Sequence, residues 1–210
     1  MYKALIWKEY RETRLPLAIT VLGCIILSWI IYITNEKSSD PYLRFNVLEQ
    51  PLFMIIEFLI SFYTVMTGAE AFAHEYQLNT FDFLVSRAVS RKVLWQCKFA
   101  FRISTLLLPL AIFFFISRYT ISEQINFQYQ SVFALYALFL FSASFLFSTI
   151  FNSPVKAGAT GMIVFLGYAG LFDRISDNYA AFLISCTVLT ALILTASFFI
   201  FTRGKLSRAV

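Results

Sequence analysis

The feature that most narrows the folds open to this chain is the spacing of its apolar runs, which recur from end to end with only short polar connections between them. A helix rises 1.5 Å per residue, so about 20 apolar residues cross the hydrocarbon of a bilayer. Runs that fit fall at 15–34, 52–73, 103–119, 131–151, 157–172 and 179–202. Charged residues make up 14% of the chain and hydrophobic ones 59%, against about 25% charged in a soluble domain. The expected fold is therefore all-α: a polytopic integral membrane protein of six transmembrane helices forming a single transmembrane domain over 1–210. No cleavage site of small residues follows the first run, so it is expected to remain attached as an anchor.

Basic residues orient such a chain. With the N-terminus in the cytoplasm, thirteen Lys and Arg fall on the inner side and four, Lys37, Arg44, Arg118 and Arg174, on the outer. That asymmetry obeys the positive-inside rule and places both termini in the cytoplasm. The net charge of +5 is accounted for by this distribution, and no nucleic-acid partner is expected. The outer connections, 35–51, 120–130 and 173–178, are too short to build a domain with its own core. Function is thus confined to the membrane and its cytoplasmic face.

Residues 1–14 read as a separate short helix lying in the interface, with Tyr2, Leu5 and Ile6 on one face, Trp7 and Tyr10 beside them, and Lys3, Lys8, Glu9, Arg11, Glu12 and Arg14 on the polar side. Pro16 then opens the first span, in a first turn where its missing N–H costs nothing. Pro109 shortens or kinks the third span, whose helix could begin as early as Val93. Cys24, Cys97 and Cys186 are isolated, with neither metal-ligand spacing nor a disulfide framework, and read as small buried hydrophobes. The fourth and fifth runs carry Ser142, Ser144, Ser148, Ala157, Gly158, Ala159, Gly161, Gly167 and Gly170, the small residues that let helices approach closely in lipid.

The longest polar interruption is 68–102, GAEAFAHEYQLNTFDFLVSRAVSRKVLWQCKFAFR. Phe81, Leu84, Val85 and Ala88 stand at i, i+3, i+4 and i+7, with Asp82, Ser86 and Arg87 turned away, which predicts a short amphipathic helix. Thr80 would cap it and Asp82 would complement its dipole. Ser90 would cap the following helix, which would carry Trp95 into the interface. Glu70, His74 and Glu75 share a face at the inner end of the second span and form a polar cluster, with Arg87 or Arg91 as expected ion-pair partners. One His and two carboxylates at these positions match no metal signature, so neither a metal nor a resident cofactor is expected. Glu57, inside the second span, is the candidate for a substrate path, since an ionisable group within a membrane marks function by default.

The quoted segment, preceded by LIWKEYRE and a first span, resembles the permease subunits of ABC exporters of the ABC-2 class. The residues that match that family's pattern are Glu75, Thr80, Leu84, Val89, Ser90, Arg91 and Lys98, while the family's glycine is replaced by Asn79 and its proline by Ala88. The resemblance implies a second permease copy, a homodimer, and separate ABC ATPase subunits that carry ATP and Mg, since this chain has no GxxxxGK[ST] loop. It also implies that 80–88 is a coupling helix in which Thr80, Phe81, Asp82, Leu84, Val85 and Arg87, together with Arg91, contact the ATPase, and that 1–14 is a connecting helix on the inner leaflet. The expected activity is transport across a bacterial cytoplasmic membrane, with no catalytic residue in this chain. There are two alternative readings, the first with the same architecture. One is a haem or cytochrome-maturation permease, and the other is an intramembrane lipid-modifying enzyme built on Glu57.

Overall fold

The computed structural model describes residues 2–37, 50–80, 90–120, 123–175 and 179–203, and these residues form helices without a strand among them. In chain order they are α1 (Tyr2–Lys37), α2 (Gln50–Gln77), α3 (Arg91–Thr120), α4 (Glu123–Ser148), α5 (Pro154–Ile175) and α6 (Tyr179–Arg203). Five stretches are long and apolar enough to cross a membrane: Leu5–Ile33, Pro51–Gln77, Arg91–Ser117, Tyr129–Ser148 and Ala180–Arg203. The chain is a multi-pass, all-helical membrane protein by that measure. The run expected at 157–172 lies in α5, which is not among the five.

Two boundaries differ from expectation. Residues 2–14 are not a separate interfacial helix, because they continue into the first span as one 36-residue helix, about 54 Å long at 1.5 Å per residue. Pro16 therefore sits in the helix interior rather than its first turn. Pro16 removes the N–H that would bond the Glu12 carbonyl, and the helix continues through it with Glu9 and Glu12, in the turns before it, held by ion pairs to α3. The third span is also longer than 103–119. It starts at Arg91, with Ser90 Oγ accepting from Val93 N–H at 3.3 Å as its cap, and passes through a buried Pro109 without ending.

Packing centres on α4, which touches α2, α3, α5 and α6, while α1 lies against α2 and α3 on one flank. Backbone approach sets this arrangement. A Cβ on Gly68 of α2 would fall 2.7 Å from the Phe141 carbonyl oxygen, and one on Gly161 of α5 would fall 2.8 Å from Ser144 N. Ser144 is thus fully buried between two glycines, and three helices meet at a single residue. Ala157 and Gly158 pack in the same face, whereas Gly167 and Gly170 look into open space.

An aromatic cluster fills the core beside this contact. Phe72 meets Phe201 at 4.3 Å between centroids, and Trp95 meets Phe99, Phe145 and Phe198 between 5.0 and 5.6 Å. Trp95 is buried, and its indole N–H donates to Ser197 Oγ at 3.1 Å. A ring this large with a single polar atom is stable inside a membrane protein when that atom finds an acceptor. The opposite extreme is α1, whose Leu15, Ile19, Leu22, Ile26 and Trp29 are all more than half exposed, as a lipid-facing surface would be. Cys24 and Cys186 are buried, as expected, whereas Cys97 is only half-buried.

Candidate functional site

Charged side chains are costly inside a membrane protein unless each meets a partner, and the last turns of α2 are where this chain concentrates them. Glu70 and Glu75 come from α2, Lys98 and Arg102 stand four apart on α3, and Lys8, Glu9 and Glu12 come from the N-terminal turns of α1. Four of the seven are sealed: Glu9, Glu75, Lys98 and Arg102 are each at most 1% exposed.

Lys98 is the centre of the network. Its Nζ donates to Glu9 Oε1 at 2.5 Å and pairs with Glu75 Oε1 at 2.8 Å, so one ammonium joins three helices. Glu75 Oε1 also receives Lys8 Nζ at 2.8 Å. Arg102 Nε donates to Glu9 Oε2 at 2.9 Å, and its other nitrogens lie 3.7 Å from Glu12 and 3.8 Å from Glu70. The Phe72 ring stands 5.5 Å from Lys98 Nζ, adding a cation–π contact on the apolar side. Two buried atoms, Glu75 Oε2 and Arg102 Nη1, lack a hydrogen-bond partner. The centre of the network is therefore sealed but not fully satisfied, and the whole holds four carboxylates against three cations.

The polar cluster expected from Glu70, His74 and Glu75 is present in part. Glu70 and Glu75 belong to the network, and His74 is half-buried beside them in the last turn of α2. Of the two expected ion-pair partners, Arg87 lies outside the described residues and Arg91 is exposed at the first residue of α3, while Lys98, Arg102 and Lys8 are cations that reach the acids. Reading Lys8, Glu9 and Glu12 as the solvated side of an interfacial helix hid these partners. The i, i+4 spacing of Lys98 and Arg102 was the signal that could have revealed them.

α2 ends in a defined turn. Thr80 N–H bonds to the Glu75 carbonyl and Asn79 N–H to the Tyr76 carbonyl, at 3.0 and 3.2 Å. This is a Schellman motif, and Asn79 occupies its left-handed position with φ 54°. Asn79 thus serves where glycine is usual, and the Thr80 hydroxyl points back to the Glu75 carbonyl at 3.4 Å. The next residues, including Phe81, Asp82, Leu84, Val85 and Arg87, lie outside the described residues.

A second polar feature lies far along α2 from the network. Glu57, half-buried, accepts a hydrogen bond from the Tyr129 hydroxyl at the start of the α4 span. Tyr129 was not foreseen as its partner. Nearby, Gln130 Nε2 donates to Ser117 Oγ at 2.6 Å and to the Phe114 carbonyl at 3.2 Å, closing α4 onto α3. No three His, Cys, Asp or Glu among the described residues are placed to hold a metal ion. No family model, curated protein or solved structure matches the chain.

Proposed function

We propose that this chain is the membrane-spanning permease subunit of an ATP-driven ABC transporter, an exporter, whose ATP is hydrolysed by a separate ATPase subunit. The observation that carries the reading is the Glu75–Lys98 ion pair at 2.8 Å. Both residues belong to the motif that resembles the ABC-2 permeases, and they stand on either side of 80–88, the segment assigned to the ATPase contact. An ion pair that bridges the two ends of a docking segment joins anything that moves it to α2 and α3 together. Glu9 extends the connection to α1 through the same ammonium.

In this reading the chain crosses a bacterial cytoplasmic membrane six times, with α5 as the fifth crossing and both termini inside. A second permease copy completes the translocation path. The ATPase pair closes on ATP, the segment from Thr80 to Ala88 moves with it, and α2 and α3 switch the path between inward and outward access. A partner shifts such an equilibrium only by contacting the two states differently, so the apolar side of that segment, Leu84 and Val85, must be engaged unequally in them. The test is copurification of the ATPase subunit with Leu84→Asp and Val85→Asp variants. The reading requires its loss, and undiminished copurification of both variants rules out docking at this segment.

A further inference from the structure

Of the five acidic side chains described, four lie within 4 Å of a Lys or Arg. Glu57 is the exception: among the described residues it meets no cation, and its one hydrogen bond comes from the Tyr129 hydroxyl onto Oε1. Its second oxygen accepts no hydrogen bond and is not among the buried polar atoms left without one, so it is open to a ligand. Glu57 lies inside the apolar stretch Pro51–Gln77, six residues from its start.

The surroundings are aromatic. The Tyr129 ring, more than a third exposed, sits 6.3 Å from the buried Phe113 ring, which in turn packs against the tilted Phe133 ring at 4.4 Å. On the outer side of α2, Phe58 and Phe62 lie stacked 6.4 Å apart and more than half exposed, with Met54 one turn before Glu57. A carboxylate with a free oxygen, aromatic ring faces and exposed apolar side chains are the elements that hold an organic cation in an apolar setting. An inorganic cation would call for further oxygen ligands, and the described surroundings offer rings and methyl groups instead.

We infer that Glu57 and Tyr129 form a binding site for a lipophilic monocation, an ammonium or phosphonium group carried on an apolar or aromatic body. Glu57 supplies the counter-charge, Tyr129 orients the carboxylate and presents a ring face, and Met54, Phe58 and Phe62 receive the apolar body. The inference rests on the permease reading only in making this cation the cargo.

Binding of tetraphenylphosphonium to the purified chain in phosphatidylcholine nanodiscs tests it, with empty nanodiscs as the blank. Glu57→Gln should weaken binding about tenfold or more, as loss of a charge-assisted contact does, and Glu57→Asp should retain it within a few-fold. On the unaltered protein, tetraphenylborate, equal in size and opposite in charge, should not compete. Phosphatidylethanolamine added to the nanodiscs identifies the source: competition that is lost in Glu57→Gln assigns the cation to a lipid headgroup, and no competition assigns it to a free amphiphile. Equal binding by Glu57→Gln, or competition by tetraphenylborate on the unaltered protein, overturns the site. The assay contains no ATPase subunit, so failure to copurify one would end the permease reading and leave this result standing.

Discussion

Lys98 Nζ lies 2.5 Å from Glu9 Oε1 with both side chains sealed from solvent, although 89 residues separate them in the chain. The pair fastens the N-terminal turns of α1 to α3, and through Glu75 to α2. A buried pair of this kind is weak support for net stability, because desolvation offsets much of the attraction, yet leaving one partner alone is severe. Lys98→Met should therefore destabilise the protein by about 3–5 kcal/mol. The double variant Glu9→Leu with Lys98→Met should cost well below the sum of the single changes. Unfolding midpoints in mixed detergent check both.

The contact of Gly68 and Gly161 on Ser144 predicts a second effect. A side chain at position 68 meets the Phe141 carbonyl, which is backbone and cannot swing aside. Gly68→Val and Gly161→Val should each cost about 1–3 kcal/mol or more through overpacking. Gly167→Val and Gly170→Val, which meet open space, should leave the unfolding midpoint unchanged.

Asn79 holds a left-handed backbone at the end of α2. Asn79→Gly should keep or slightly raise stability. Asn79→Val, which adds a branched Cβ in that conformation, should lose about 1–2 kcal/mol. Equal midpoints for the two variants would contradict the turn geometry.

Trp95 and Ser197 tie α3 to α6 through one buried hydrogen bond. Ser197→Ala removes the acceptor and leaves a buried indole N–H unpaired, and should cost about 1–3 kcal/mol. Trp95→Phe, which removes the donor together with part of the ring, should leave Ser197→Ala without further effect when the two are combined.

The helices and most of their centres were legible in the sequence, because apolar runs of spanning length admit few other structures. The cap at Ser90, the buried Cys24 and Cys186, and the close packing of Ala157, Gly158 and Gly161 were legible for equally local reasons. What the sequence hid were contacts between distant segments. Glu9 and Lys98 each look like an ordinary interfacial charge until the fold of α1 against α3 brings them together. Trp95 gave no sign of its hydrogen-bond partner, because Ser197 lies more than a hundred positions away. The continuation of α1 through Pro16 was masked by the rule that proline opens helices, which tertiary clamping at Glu9 outweighs.

Whether this chain works with a separate ATP-hydrolysing subunit is tested most directly by purifying it from its native membrane in mild detergent and identifying what accompanies it. The proposed function predicts a P-loop ATPase in equal amount to this chain, with ATP hydrolysis by the isolated complex. A chain that purifies without any nucleotide-binding partner, under conditions where its own fold is intact, would contradict it.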